Sequence, residues 1–375
     1  MPSQPPMPQA PLRSRAIVIT EIEAMGGAER SVLALTRWLH GHNIPCHVLT
    51  YADHVGLAQH ADHPLPVVEL RPTMRARHKI ASLRRYFAAR PEAPHPLMSG
   101  YQPALHATLA GLHGFHCLMH DTPSLFEDPA PPSFKRRVAR VMSDRIVAHG
   151  LRSGGRTIVT SEYLRQECRR AFHVEADIAR MGGLRGATSF HPRHVSTRLQ
   201  MLSVSRIESN KRIDWILRAL SALEAAHPPL SSRVDWHLDL VGRGSALDAM
   251  QEIAASLGLA HRVRFHGYVS DVDLEQLYNR AHLFLMPAVQ GYGIPAIEAL
   301  TRGIPILLHR DSGVSDILLS TPWAVVIEGA EDAMLSGLNR AIRNALSGAQ
   351  LNVPPPLLPT EEDWAERVVT LCRWL

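Results

Sequence analysis

The 375-residue sequence is poor in cysteine and has no long apolar run. Its four cysteines, Cys46, Cys117, Cys168 and Cys372, lie far apart without a CxxC pair, which argues against a disulfide framework and against a zinc site. No stretch approaches the roughly 20 apolar residues that a membrane-spanning helix needs. We therefore expect a cytoplasmic protein with free, buried thiols.

The first residues also lack the apolar core of a secretory signal. Residues 1–15 are rich in proline and polar residues, so we expect a disordered lead-in. Hydrophobic residues make up 45% of the chain and charged residues 20%, as in soluble globular proteins. The length exceeds one ordinary core and predicts two domains.

Positive charge is unevenly distributed. The segment Arg71–Arg90 has seven basic residues and no acidic one, and a second basic cluster comprises 135–137 and Arg140. Ile80, Leu83 and Phe87 form a narrow apolar stripe in the first segment. Two interpretations remain open: a basic helix on an anionic membrane surface, on the inner face, or a solvated basic face whose stripe packs onto its own domain. Nucleic acid is not expected, because no recognised motif accompanies the charge.

Short apolar runs alternate with helix-length segments along both halves, which predicts a parallel, doubly wound α/β sheet in each. We expect an N-terminal domain over 16–185, a C-terminal domain over 195–350, and a boundary within 182–198. Thr360 and Asp363 have capping-box spacing and predict a last helix over 360–375, packing back toward the N-terminal domain. The predicted strands are 16–19, 47–50, 67–70, 116–119 and 157–160, then 201–204, 237–241, 262–265, 283–286, 304–308 and 324–327. The predicted helices include 28–39, the basic segment, 103–112, 162–172 and one near Ile213.

Candidate binding residues follow the predicted strands, as expected for open α/β sheets. Gly26 and Gly27 open a helix, where backbone N–H groups can approach a phosphate or sugar. Arg206 and Lys211 lie five residues apart in a strand-to-helix loop and can both reach one pyrophosphate, Arg206 through a fork and Lys211 as a point charge.

The segment from Gln290 to Glu298 is the most informative. Gly291 and Gly293 allow a tight turn with N–H groups directed at a ligand, and a helix begins directly after it. Glu298 lies one turn inside that helix, and its carboxylate can accept hydrogen bonds from the hydroxyl groups of a ribose. This pattern suits a nucleotide sugar and favours a glycosyltransferase.

Asp271 and Asp273 have the form of a metal-binding DxD. Because they precede a helical pattern, Asp271 is more simply an N-cap, and we expect no metal there.

These motifs resemble those of glycosyltransferase family 4, the retaining enzymes of GT-B fold, over about residues 16–345. The resemblance implies two Rossmann-like, doubly wound domains facing a central cleft, with acceptor binding in the N-terminal domain and nucleotide-sugar binding in the C-terminal one. The sequence departs from the family pattern at Ser205, at 181–183 and at Gln290. At position 290 the family usually has Glu. The motifs that carry it are Gly26–Arg30, His120-Asp121, Thr160–Leu164, Ser205–Lys211, Phe265–Val269 and Gly291–Glu298.

The resemblance also implies residue roles. Arg206 and Lys211 would neutralise the leaving diphosphate, His120 would lie beside the donor sugar, and Glu298 would bind the ribose. Gln290 and the turn Gly291, Tyr292 and Gly293 would hold the sugar, Gly27 would lie near the phosphates, and the backbone at Tyr268 and Val269 would bind the base. No cofactor or metal is implied, since the nucleotide sugar is itself the substrate.

We therefore expect a retaining hexosyltransferase that uses a nucleoside diphosphate sugar and a polysaccharide or lipid-linked saccharide acceptor. Two alternatives remain: a sugar-nucleotide epimerase of the same fold, and a non-catalytic scaffold that binds nucleotide sugar, which Gln290 keeps open.

Overall fold

The computed structural model describes residues 13–71, 75–121, 134–183, 190–318 and 321–375. Its contacts divide the chain into two units, Met1–Leu184 with Pro359–Leu375 (the N-terminal unit) and Arg185–Leu358 (the C-terminal unit). Most of the predicted lead-in, residues 1–12, and residues 184–189 of the predicted boundary lie outside the described residues. Among the helices described, none is long and apolar enough to cross a bilayer.

The N-terminal unit contains a parallel sheet of seven strands in the order β5-β3-β1-β6-β7-β8-β9. Most of its strands are largely buried, as expected for a parallel sheet covered on both faces. A separate short pair, β2 with β4, extends from the ends of two strands. The strands are β1 Arg15–Val18, β2 Glu21–Ile22, β3 Cys46–Thr50, β4 Ala52–Asp53, β5 Val67–Glu69, β6 Leu97–Ser99, β7 His116–Met119, β8 Thr157–Val159 and β9 Asp177–Ile178. The helices are α1 Gly27–Gly41, α2 Ala76–Ala88, α3 Tyr101–Leu109, α4 Phe134–Leu151 and α5 Glu162–Phe172.

The C-terminal unit contains a parallel sheet of six strands in the order β12-β11-β10-β13-β14-β15. The chain runs outward from β10 in one direction and from β13 in the other, so the topology switches between these two neighbours. The strands are β10 Arg198–Val204, β11 Asp235–Val241, β12 Val263–Gly267, β13 Leu283–Met286, β14 Ile306–His309 and β15 Ala324–Ile327. The helices are α6 Ile213–Ala225, α7 Leu247–Ser256, α8 Asp271–Arg280, α9 Ile294–Thr301 and α10 Glu331–Ser347.

The core of the C-terminal unit follows the predicted periodicity of α6. Ile216, Leu217 and Leu220 are fully buried against β10, β11 and α10. Each such side chain contributes about 1.5–3 kcal/mol by leaving water. Trp236, also fully buried, donates its indole N–H to the carboxylate of Glu224, which satisfies the one polar atom of the ring.

The last helix, α11 (Glu361–Leu371), begins as predicted, with Thr360 as N-cap and a capping box to Asp363. It packs on α1, where Arg37 Nη1 donates to Glu361 Oε1 at 2.7 Å. After α11, the Trp374 carbonyl oxygen accepts from Arg15 Nη2 at 2.8 Å. The C-terminal segment is therefore part of the N-terminal unit.

Most predicted strands and helices are confirmed to within a few residues, but three expectations were wrong or incomplete. Ser270, not Asp271, is the N-cap of α8, because its side chain accepts from the Asp273 N–H. Cys46 is half-buried, whereas the other three cysteines are buried. Strands β2, β4, β6 and β9 and helix α4 were not among the predicted elements that we placed.

Candidate functional site

The carboxyl edge of the C-terminal sheet is held together by backbone bonds between successive loops. Ser205 N donates to Val241 O at 3.0 Å, and Ile207 N donates to Arg243 O at 2.9 Å. Gly242 makes this approach possible, because a Cβ there would lie 1.8 Å from Ser205 O and its φ is +135°. The loops that follow β10 and β11 therefore form one rigid platform.

Arg206 and Lys211 lie on this platform with a carboxylate beside them. Arg206 is exposed. Lys211 is the last residue of a 3-10 turn, and its backbone N–H donates to Glu208 O at 2.9 Å. The pKa of Glu208 is lowered, first by the hydrogen bond from the Ser245 hydroxyl and to a lesser extent by the charges of Arg206 and Lys211. Glu208 thus belongs to the site, although sequence analysis did not single it out.

Lys211 also reaches across the topological switch. Its Nζ donates to Gln290 Oε1 at 3.3 Å, which joins the loop after β10 to the loop after β13. Ligands of open α/β sheets bind in the crevice at such a switch point. The structure therefore brings together two of the predicted site residues where the topology favours binding.

The turn that contains Gln290 is tied to the next loop along the sheet. Gln290 O accepts from Gly313 N at 3.1 Å, and Tyr292 O accepts from Val314 N at 3.0 Å. Gly291 and Tyr292 are buried. Gly293 is the N-cap of α9 at φ +112°, and a Cβ there would lie 2.6 Å from Met286 Cε. Only glycine fits this position without strain.

Glu298 lies one turn inside α9, as predicted, but it is almost fully buried, with 6% of its surface exposed. Its Oε2 accepts from the hydroxyl of Tyr278 at 3.1 Å. Burial, and then the charge of Glu298, raises the pKa of Tyr278. Arg302 lies beside this pair, donates to Glu298 O at 2.7 Å and pairs with Glu275 at 2.6 Å. The sequence revealed neither residue: Tyr278 bonds to the Glu298 carboxylate, and Arg302 bonds to the backbone carbonyl of the same residue.

Tyr268 and Val269 follow β12 at the same edge of the sheet. Tyr268 is 74% exposed, and the Arg243 guanidinium lies 5.8 Å from the centroid of its ring. Gly267 O accepts from Gly242 N at 2.8 Å, which joins this strand end to the platform. An exposed aromatic ring beside an arginine is chemically suited to a nucleotide base and phosphate.

Two predicted residues lie in the N-terminal unit. Gly27 is the first residue of α1, and the preceding Gly26 N–H donates to Glu29 Oε2 at 2.9 Å, so a carboxylate already occupies part of this helix N-terminus. His120 follows β7, and its Nε2 hydrogen-bonds with Ser99 Oγ at 3.0 Å. Desolvation lowers the pKa of His120 to about 4, so its ring is neutral at pH 7.

A polar cluster that the sequence did not predict surrounds Lys79 on α2. Its Nζ pairs with Glu21 and lies 5.7 Å from the centroid of the Tyr51 ring. The Tyr51 hydroxyl hydrogen-bonds with His106 Nδ1 at 3.1 Å. Lys79 and Glu21 are both mostly buried, and such a pair is stable only because each charge compensates the other.

The apolar stripe of α2 packs inward. Leu83 is fully buried and Phe87 is 9% exposed, while Ile80 packs against the core of the N-terminal unit. Arg84 Nε donates to Ala110 O at 2.9 Å. Of the two interpretations of Arg71–Arg90, these contacts favour packing onto the domain; residues 72–74 lie outside the described residues.

No group of three or more potential metal-binding side chains occurs within the part of the chain that the structure describes. At the DxD-like segment, Asp273 Oδ2 accepts from Ser270 Oγ at 2.6 Å. This carboxylate therefore serves the start of α8.

Residues 186–352, which lie within the C-terminal unit, match the family model of glycosyl transferases group 1. A GDP-mannose-dependent alpha-(1-6)-phosphatidylinositol monomannoside mannosyltransferase of Mycolicibacterium smegmatis is 27% identical over 162 residues, 41% of each chain. An O-antigen chain mannosyltransferase B of Escherichia coli is 26% identical over 175 residues, 43% of this chain and 45% of that protein. The chain spans between 26% and 45% of the length of the first four curated relatives that it matches.

Solved structures match nearly the whole chain. Sucrose-phosphate synthase of Thermosynechococcus elongatus has a TM-score of 0.71 at 16% identity and covers 96% of this chain and 95% of that one. Anabaena HepE in complex with UDP and glucose has a TM-score of 0.70 at 15% identity and covers 96% of this chain and 100% of that one. The predicted fold class is therefore confirmed: each unit is Rossmann-like, and the fold is GT-B.

Proposed function

We propose that the protein is a retaining glycosyltransferase of family 4 that transfers a hexose from a nucleoside diphosphate sugar to a saccharide acceptor. The observation that carries the proposal is the Lys211–Gln290 contact across the switch between β10 and β13. A cationic side chain, an amide and a glycine turn meet there at the edge where ligands of such sheets bind. The group 1 family match over the same unit supports the assignment.

In this proposal the donor diphosphate lies against Arg206 and Lys211. The bond between the anomeric carbon and the diphosphate oxygen breaks, and the acceptor oxygen bonds to the same face of that carbon. The acceptor proton passes to the departing diphosphate, so no protein nucleophile is required. The two cations stabilise the charge that develops on the leaving group, which is the largest contribution the protein can make.

The remaining residues position the donor. Glu298, held by Tyr278, binds the ribose hydroxyls, and the backbone at Tyr268 and Val269 binds the base. Gln290 and the turn 291–293 hold the sugar. In the N-terminal unit, His120 and Gly27 are the residues to which the family resemblance assigns contacts with the sugar and the phosphates. The names of the relatives, two of them mannosyltransferases that act on a lipid-linked or O-antigen saccharide, support a polysaccharide or lipid-linked acceptor.

We propose a cytoplasmic location, because the free cysteines and the missing CxxC pair suit a reducing compartment.

The test is incubation of the purified protein with labelled UDP-, GDP- and ADP-sugars, with water as the only acceptor. The melting temperature of the protein is also measured with each nucleotide. We expect one nucleotide to raise the melting temperature selectively and its sugar to be released slowly as the free hexose. An isomerised nucleotide sugar would instead identify an epimerase.

A second candidate, a non-catalytic scaffold, is favoured by one observation: Gln290 is neutral and hydrogen-bonds Lys211. Selective nucleotide binding without hexose release or transfer to any acceptor would establish it. No stabilisation by any nucleotide would refute both assignments.

A further inference from the structure

The amino-terminal half of α4 carries an exposed apolar surface. Phe134 is 80% exposed, Val138 42%, Val141 51% and Met142 59%. At about 100° per residue, these side chains lie within an arc about 100° wide along one side of the helix. We call Phe134, Val138, Val141 and Met142 the α4 stripe.

The α4 stripe points away from the N-terminal unit. The buried residues of α4 belong to its last two turns, and three of them, Val147, Gly150 and Leu151, lie on roughly the opposite side of the helix. The Tyr101 hydroxyl donates to Asp144 Oδ1 at 2.8 Å, which fixes the middle of α4 against α3. The body of the unit therefore does not cover the stripe.

Two basic residues flank the stripe, whereas Arg136 and Arg140 lie on the opposite side of the helix. Residues 134–143 include Lys135, Arg136, Arg137 and Arg140 and no acidic residue. Lys135 and Arg137 border the stripe on its two sides, within about 40° of its edges. An apolar face about 12 Å long, flanked by basic side chains, matches the interface of an anionic bilayer in both chemistry and charge.

We propose that the α4 stripe inserts into the interfacial region of an anionic phospholipid bilayer, with Lys135 and Arg137 bound to lipid phosphates. The membrane contact then differs from the one that the basic segment Arg71–Arg90 suggested, because the stripe of α2 is buried whereas that of α4 is exposed. The proposal does not depend on the transferase reaction, since its readout is binding to lipid.

The test is flotation of the full-length protein with vesicles of phosphatidylglycerol and phosphatidylcholine, compared with phosphatidylcholine alone. We expect binding to the anionic vesicles only. The double variant Lys135→Gln, Arg137→Gln should lose about 25-fold in partitioning, at about fivefold for each charge. The double variant Phe134→Glu, Met142→Glu should lose at least tenfold. Because these side chains are exposed, melting temperature and nucleotide-induced shift should stay unchanged.

A matched control removes two charges from α2: Arg77→Gln and Arg85→Gln. We expect its partitioning onto anionic vesicles to remain within about fivefold of that of the original protein. An equal loss in both charge variants would mean that net charge alone attracts the protein, and it would overturn the proposal. Unchanged vesicle binding by Phe134→Glu, Met142→Glu would also overturn it. If light scattering showed an oligomer of the original protein that was dissociated in this variant, while the variant still bound vesicles, the stripe would be a protein interface.

Discussion

Replacing Gly293 by alanine tests the geometry of the turn at the centre of the candidate site. At φ +112°, an L-residue is strained by about 1–3 kcal/mol. The new Cβ would also lie 2.6 Å from Met286 Cε and 3.3 Å from Ser312 Oγ. Met286 is only 3% exposed and has little room to move, so overpacking adds about 1–3 kcal/mol. We expect Gly293→Ala to destabilise the 283–318 region by about 2–5 kcal/mol.

The control is Gly329→Ala in the same unit. Gly329 has φ +94°, but a Cβ added there would have no atom within 4 Å, so this variant measures backbone strain without crowding. Hydrogen exchange in increasing urea, followed by mass spectrometry, reports the local free energy of opening for peptides from each region. We expect Gly293→Ala to lower the local free energy of opening by about 1–3 kcal/mol more than Gly329→Ala does.

Shortening the crowded neighbour separates the two causes further. In a double-mutant cycle, Met286→Val removes the Sδ and Cε atoms that the new Cβ would meet. We expect the double variant to be less unstable than the two single changes predict together, by about 1 kcal/mol. The described turn would be refuted if the local free energy of opening of Gly293→Ala lay within about 0.5 kcal/mol of that of the original protein. It would also be refuted if the double-mutant cycle showed no coupling between positions 286 and 293.

Three further predictions concern the cations and the buried histidines. Lys211→Ala should lower turnover about 100-fold or more by removing one preorganised charge, whereas Arg218→Ala, an exposed cation on α6, should change it less than twofold; equal effects in steady-state kinetics would contradict this role. Gln290→Glu should turn the 3.3 Å, partly buried hydrogen bond to Lys211 into an ion pair and weaken nucleoside diphosphate binding about two- to fivefold, measured calorimetrically, since an ion pair that solvent still reaches contributes about 1 kcal/mol or less; unchanged affinity would contradict it. Burial lowers the pKa of His47 and of His116 to about 4, below the unfolded value near 6.5, so the unfolded chain binds more protons and stability falls as pH drops below 6.5. Between pH 7 and pH 5 each histidine should lower the free energy of unfolding by about 2 kcal/mol. The urea midpoint for labelling of Cys117 and Cys168, measured with a thiol reagent that is active in acid, will report this loss. Equal urea midpoints at both pH values would contradict it.

The strands of the C-terminal unit could be predicted because each carries apolar residues between helix-length segments, with four in succession in β13 and β15. Helix α6 was visible for a similar reason, since its buried side chains recur at helical spacing. Strand β6 was not, because it has three residues and follows a stretch with three prolines in six positions. Helix α4 was missed because its burial begins only near Val147, so its first turns carry no core-facing pattern.

The candidate site divides in the same way. The glycine turn at 293 and the pair Arg206 and Lys211 are local in sequence, and a motif suffices to find them. The bond between Tyr278 and Glu298 joins residues 20 positions apart, and Lys79 meets Glu21 across 58 positions. Such partners depend on how strands and helices pack, which spacing along one sequence does not specify.

Basic charge in the N-terminal unit shows why composition alone misplaces a surface. Lys79 of the basic helix α2 turns inward to Glu21, and Arg84 donates to the carbonyl oxygens at the end of α3, so part of the charge of α2 serves internal contacts. Each buried charge needs such a partner, because desolvation is otherwise too costly. Helix α4 has five Lys and Arg residues against four in α2, and its Lys135 and Arg137 lie beside apolar side chains that are exposed to solvent. The exposure of the apolar neighbours, more than the number of charges, therefore decides which of the two helices is suited to a membrane.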